Sequence, residues 1–207
     1  MTTGKIPLVF GEVVHSMSNI ALFVAQGVQD EEYLYPYYRF QEEEFQLDVI
    51  LSYNSRYPNP TGKYGIPIKW NMTTKELTFP CKHDILVIAG GWQAPEIMRQ
   101  DLNLLKYLDS ANDQNKVIGA ICHGPQVLIS ANIVKNRKMT SFAGIKDDIV
   151  NAGAYYIDRG VVVDDNLITA QHYKDNPLFL RSILEAYKYH WTLTHIDKNN
   201  DKYQYPM

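Results

Sequence analysis

The sequence predicts an α/β domain built on a mostly parallel sheet with helices on both faces. Two observations lead there. Four apolar runs of strand length, Ile20–Ala25, Leu47–Ser52, His83–Ala89 and Val117–Ile121, have the near-continuous hydrophobicity of parallel strands buried on both sides. Segments with helical spacing separate them, and strands alternating with helices give a parallel sheet.

Taken in order, Ile20–Ala25 is the first strand and 26–30 the turn after it. Residues 31–44 carry Tyr33, Leu34, Tyr37 and Phe40 at helical spacing. Leu47–Ser52 is the second strand, and 57–62 is a turn cluster with two prolines and a glycine. Residues 66–70 read as an edge excursion, because proline is confined to edges within sheets. His83–Ala89 ends in Gly90–Gly91, where close backbone approach and unusual dihedrals are allowed. One helix is expected from Pro95 to about Ser110, with Ile97, Met98, Leu102, Leu105 and Leu108 on its apolar side. Val117–Ile121 is a strand, and Pro125 opens a helix through Val134. Then come a short strand at 139–142, a short helix at 145–151, and a strand pair formed by 155–158 and 161–164. Asp165–Asn166 makes a turn, 167–170 returns, and a helix from Pro177 to about His190 closes the domain. Residues 1–19 and 191–207 read as an extension and a tail around a domain at 20–190.

Bulk properties narrow the function. A chain of 207 residues fits one domain with a substantial core. A net charge of −3 gives no basic footprint for nucleic acid. No apolar run has the length of a membrane span, and the first residues lack the apolar core of a signal peptide. Two cysteines, Cys81 and Cys122, make no disulfide framework, which points to a reducing cytoplasm. Scattered His and Cys show no metal spacing.

The chemistry concentrates at Cys122. It lies on a sharp turn between a buried strand and a helix opened by Pro125, the geometry of a nucleophile elbow. The positive end of a helix dipole favours thiolate. His123 beside it is a candidate proton carrier near neutral pH. Cys81 is read as structural.

The segment Ala120-Ile121-Cys122-His123-Gly124-Pro125-Gln126-Val127-Leu128-Ile129-Ser130-Ala131 resembles the ThiJ/PfpI superfamily, closest to its PfpI-type branch. Tyr35–Arg39 with Glu42–Glu43, Gly90–Gly91 with Ala94–Glu96, and stretches of the last third (140–142, 146–148, 151–154, 161–164) agree with it, so the resemblance runs from about Ile20 to about Ala186. It implies a flavodoxin-like three-layer sandwich akin to class I glutamine amidotransferases. It also implies a cysteine-dependent enzyme acting on a small electrophilic carbonyl or amide, with deglycase, glyoxalase or peptidase-like activity and no organic cofactor or metal. In that branch the residue matching Glu96 reaches its histidine across a subunit interface, so a homo-oligomer is expected, with no nucleic-acid or membrane partner. Gly91 and His123 would supply oxyanion amides.

Aligning on Tyr35-Pro36-Tyr37 places Gln29 where the family carries a glutamate that is protonated and bonds to the elbow cysteine. Asp30, Glu31 and Glu32 follow directly, so a register shift would restore a carboxyl there. Trp92 is a candidate pocket wall, and His172 a candidate near the same sheet edge. His195 and Asp197 resemble the His-x-Glu pair of amidotransferase triads but fall after the expected closing helix and are discounted. Two other readings stay open: a redox or stress-response protein with an oxidisable cysteine, and a hydratase or lyase whose altered chemistry Gln29 would mark.

Overall fold

A computed structural model describes residues 18–54 and 56–195, with side chains to His190. Residues 1–17 of the extension and Asp197 lie outside the described residues. Strands β1 (Asn19–Val24), β2 (Gln46–Leu51), β3 (Met72–Thr73), β4 (Ile85–Ile88), β5 (Val117–Ile121), β8 (Val161–Asp164) and β9 (Leu167–Ala170) form one sheet in the order β3-β2-β1-β4-β5-β9-β8. Every pairing in it is parallel except β8 with β9. β6 (Lys138–Met139) and β7 (Tyr155–Tyr156) make a small separate parallel pair.

The apolar runs become the centre of this sheet because they have no wet face. Every residue from Ile20 to Val24 is buried, as are all of β4, β5 and β9. Helices α1 (Asp30–Glu42) and α6 (Asn176–His195) pack on each other, α1 against β1 and β2 and α6 against β5 and β9. Helices α2 (Gln93–Met98), α3 (Leu102–Asp113), α4 (Pro125–Ser130) and α5 (Lys146–Asn151) form a second group, joined to the sheet through α3 and α4 on β5. The expected three layers are present.

The order of connections fixes where a site can lie. After β1 the chain moves outward to β2; after β4 it moves the other way to β5. That reversal opens a crevice beyond the carboxyl ends of β1 and β4, the position where open α/β sheets bind ligands. The β1, β4 and β5 registers run level, with Ile20 opposite Ile85 and Ile85 opposite Val117, so these three strands end together.

Four elements differ from the sequence expectation. The helix expected over 95–110 is two helices, α2 and α3, broken before Leu102. Asp101 stands there in an extended conformation, and its carboxylate accepts the amides of Asn103 and Leu104 as an N-cap. Its second oxygen accepts the hydroxyls of Ser52 at 2.7 Å and Thr74 at 2.6 Å, which pins the break to the sheet edge. Helix α4 stops at Ser130 because Asn132 takes a left-handed conformation, φ 60°, with Ile133 bonding back to Leu128. The pair expected between 155–158 and 161–164 does not form. The Asp165–Asn166 turn, with Asp165 at φ 54°, folds β8 onto β9, and β7 pairs with β6 instead. Finally, α6 continues to His195, so that residue ends the helix rather than following it.

Asp101 therefore carries a helix cap and two hydroxyl contacts at once. Asp101→Ala is expected to lower stability by about 2 kcal/mol in urea unfolding. Asp101→Asn, which keeps a capping oxygen, should recover a large part of that loss. Equal unfolding midpoints for wild type and Asp101→Ala would refute the anchoring role.

Candidate active site

Cys122 is the first residue after β5, and its φ of 61° lies in the left-handed region that non-glycine residues avoid. Three backbone hydrogen bonds hold it there. The Cys122 amide donates to Ala170 O at 2.9 Å, the Gly124 amide to Ile121 O at 2.8 Å, and the Phe142 amide to Cys122 O at 2.9 Å. The strained turn is thus fixed by β9 on one side and the 142 loop on the other. It turns the thiol, 7% exposed, into the crevice.

Gly90–Gly91 closes the opposite wall. A Cβ on Gly90 would lie 2.5 Å from Glu32 Oε2 and 2.8 Å from Cys122 Cβ. Only glycine lets the carboxyl and the cysteine approach the same point. Gly91 adopts φ 90°, a conformation open to glycine at little cost. Its amide and that of His123 both act on the Cys122 sulfur in the direction that favours thiolate.

The carboxyl in the crevice belongs to Glu32, the third of the acids that follow Gln29. Glu32 is fully buried in the first turn of α1, and its Oε2 accepts the Gly90 amide at 2.9 Å. Oε1 is buried without a regular hydrogen-bond partner among the described residues. Gln29 precedes the helix and turns elsewhere: its amide donates to Glu31 at 2.6 Å and its oxygen accepts Lys63 Nζ at 3.4 Å. The placement of Gln29 against the cysteine is therefore corrected. Counting from the tyrosines ignored which side of the helix faces inward. Glu32, Pro36 and Phe40 recur every four residues on the buried side of α1, and that periodicity was the available signal.

His123 Nδ1 lies 3.3 Å from Cys122 Sγ, and its ring stacks on Phe142 with centroids 4.7 Å apart. Phe142, inside the 140–142 stretch of the resemblance but given no role there, is thus a wall of the site. Glu96 on α2 exerts its charge on His123 but makes no hydrogen bond to it within the chain; it is exposed and pairs with Arg99 at 3.5 Å. Trp92 is 62% exposed, so it stands at the surface rather than lining an enclosed pocket. His172 follows β9 at the same edge, but its Nδ1 caps the next turn by accepting the Lys174 amide, and it makes no hydrogen bond to Cys122 or His123. Lys63, whose charge reaches His123, was also missed.

Cys81 is a free, buried thiol in the loop before β4, bonded to the His83 carbonyl, and His83 bridges Tyr107 at 2.6 Å and Asp48 at 3.0 Å. Asp84 and Lys116, next to the start of β4 and β5, place this cluster at the sheet's amino edge, away from the crevice. Among the described residues no group of three or more His, Cys, Asp or Glu could hold a metal ion, and no helix is long and apolar enough to cross a membrane.

A strained elbow cysteine beside a buried glutamate and a double glycine invites comparison with known proteins. The model of the DJ-1/PfpI family matches residues 18–186. The chain belongs to the DJ-1/PfpI family. It is 38% identical to deglycase PfpI of Pyrococcus furiosus over 169 residues, covering 82% of this chain and 99% of that one. It is 32% identical to protein/nucleic acid deglycase 2 of Escherichia coli, covering 80% and 95%. Among solved structures, a two-domain protein of Anabaena variabilis with DJ-1/ThiJ/PfpI-like and ferritin-like domains superposes with a TM-score of 0.76 at 33% identity. The match covers 88% of this chain and 52% of that one, so the chain spans about half of its length. DJ-1 of Schizosaccharomyces pombe, at 23% identity and TM-score 0.74 over 86% and 100% of the two chains, shares the fold.

In this DJ-1/PfpI chain the electrostatics of the crevice turn on one proton. Burial pushes the Glu32 carboxyl up to about 7, against the pull of the Gly90 amide and the Cys122 side chain. Burial and then the charge of Glu32 push the Cys122 thiol up to about 12, while the Gly91 and His123 amides pull it down. The two groups thus titrate as a pair. When the proton resides on Glu32, the negative charge that opposes the thiolate is gone and only the two amides remain to stabilise it. Burial also lowers His123, with Glu96 opposing and Lys63 assisting, so near neutral pH the imidazole is uncharged and free to accept a proton.

The sign of the pH dependence follows. Above about 7 the pair holds one proton, and the charge then carried by Glu32 is among the causes that hold the thiol up. Alkylation of Cys122 by iodoacetamide should therefore keep rising well above pH 7. Glu32→Gln removes that charge, and the rise should move to lower pH by about one unit or more. Coincident profiles for the two proteins, read from the mass of the Cys122 peptide, would sink the shared-proton account.

Proposed function

We propose that the chain is a cysteine-dependent deglycase, releasing amines or thiols from small dicarbonyl adducts. The observation that carries this reading is the contact set around Cys122: a strained elbow, a buried glutamate that holds a proton near neutrality, and two backbone amides directed at the sulfur. The names of the relatives, deglycase at 32–38% identity, support the substrate class.

In the reaction the adduct's bond to its amine or thiol breaks as the hydroxyl-bearing carbon regains its carbonyl. The Cys122 thiolate adds to that carbon, forming a C–S bond as the carbonyl electrons move onto oxygen. The Gly91 and His123 amides stabilise that oxygen. A proton then shifts from that carbon to its neighbour to leave a thioester, and water breaks the C–S bond to release the hydroxy acid and restore the thiol. Glu32 and His123 carry protons between the adduct carbons and the leaving amine or thiol. The sum is adduct plus water giving free amine or thiol plus a hydroxy acid. The carbon oxidised and the carbon reduced both belong to the substrate, so no external oxidant enters the balance. Glu96 joins this scheme by orienting His123 of a second copy, the arrangement that its exposed position leaves open.

Gln29 was the reason to consider a hydratase or lyase with different chemistry. With Glu32 beside the sulfur, that reason lapses.

The test is release of N-acetylcysteine and a hydroxy acid from its methylglyoxal hemithioacetal, with free methylglyoxal alone run in parallel. Wild type should turn over the adduct faster than free methylglyoxal dissociation permits, and Cys122→Ser should lose about a thousandfold. Equal rates for the two proteins would overturn the nucleophile, and turnover limited to free methylglyoxal would overturn the deglycase assignment.

A further inference from the structure

The loop between β2 and β3 has entered the site so far only through the charge of Lys63 on His123, yet it is built into the crevice. The Gly27 amide donates to Thr61 O and the Lys63 amide to Val28 O, both at 2.8 Å. Asp30, 3% exposed, accepts the amides of Tyr64 at 2.9 Å and Ile66 at 3.4 Å. The Gln29 amide in turn donates to Gly90 O, placing the loop's anchor against the double glycine. A buried carboxylate and three strand-like contacts therefore hold residue 63 at the mouth of the site.

Lys63 is the residue presented there. Its ammonium contacts Gln29 Oε1 at 3.4 Å and lies over the Tyr64 ring at 5.2 Å. Among the described residues it makes no ion pair. Glu31, the nearest acid in this chain of contacts, is held off by the Gln29 amide that stands between the two charges. The result is a positioned cation that makes no ion pair among the described residues and whose charge reaches His123, the neighbour of a nucleophile that is itself anionic when reactive.

We propose that Lys63 is the specificity-determining residue of this site, and that the preferred substrate carries a carboxylate close to its electrophilic carbon. This deepens the reading of Cys122 as a reactive thiolate and rests on it. A thiolate and a carboxylate repel, so attack on an anionic substrate needs a cation placed to offset that repulsion. Lys63 supplies one at the entrance, on a loop fixed by Asp30. An adduct derived from an oxo acid meets this requirement; a neutral dicarbonyl adduct uses the thiolate without the lysine.

Two reagents that differ in charge test it: iodoacetate and iodoacetamide, each displacing iodide by the Cys122 sulfur. The ratio of their rate constants cancels any change in thiolate fraction. Lys63→Met should lower the iodoacetate-to-iodoacetamide ratio about fivefold, and Lys63→Arg should keep it near the wild-type value. Added NaCl should shrink the wild-type ratio and leave that of Lys63→Met almost unmoved. Lys106→Met, on the exposed side of α3, controls for net charge and should change nothing. A Lys63→Met ratio equal to that of wild type, or a drop matched by Lys106→Met, overturns the proposal. If neither reagent labels Cys122, the nucleophile reading falls and this proposal falls with it.

Discussion

A buried carboxyl and a buried thiol in contact cannot both be charged without large cost. The crevice of this DJ-1/PfpI chain is organised around that constraint. Glu32 is fully enclosed and Cys122 nearly so, and a side chain on Gly90 would collide with both. One proton serves the two groups, and where it sits decides whether a nucleophile exists. The Gly90 amide favours the carboxylate, the Gly91 and His123 amides favour the thiolate, and the balance between them is set by backbone geometry rather than by flexible side chains. That is why the strained φ at Cys122 and the positive φ at Gly91 matter. Each directs an amide or a sulfur that relaxed dihedrals would turn away.

The topology makes such a balance possible in a dry place. Three parallel strands end level at the point where the connections reverse, so each delivers one part: α1 with Glu32 after β1, the glycines after β4, the elbow after β5. Four successive residues at the first of these ends do four separate jobs because a helix starts among them. Gln29 turns toward Lys63, Asp30 fastens the loop at 64–66, Glu31 stays exposed beside Gln29, and Glu32 points inward.

Much of this was legible in the sequence, and what was not has identifiable causes. The four central strands were plain because strands buried on both faces have no polar alternation to confuse them. The elbow was plain because Pro125 marks a helix start directly after a small-residue turn. Glu32 was one of three neighbouring acids that the sequence left open, because position along the chain does not choose among them whereas a helix selects by face; the spacing of Glu32, Pro36 and Phe40 held the answer. The break before Leu102 was hidden because the apolar spacing continues through it. Asp101 overrides that spacing only by reaching Ser52 and Thr74, far away in sequence. Lys63 left no local mark, and the 140–142 match gave Phe142 no role: each reaches the site through a loop whose anchor lies in another segment.

The same logic bears on what the site can accept. With one proton in the Glu32–Cys122 pair the pair carries a single negative charge, and His123, lowered by burial, adds none. Lys63 then sets a positive charge against that negative one. Removing the positive charge would leave an anionic nucleophile behind an entrance whose other named charges, Asp30, Glu31 and Glu96, are all acids, a field that repels anions and is indifferent to neutral carbonyls. The lysine is exposed, so its contribution is screened and cannot rest on stability. Its placement is nevertheless costly to build, since Asp30 must stay buried to hold the loop. A buried carboxylate spent on positioning an exposed cation makes sense where the cation meets a ligand, and the ligand such a cation meets is an anion.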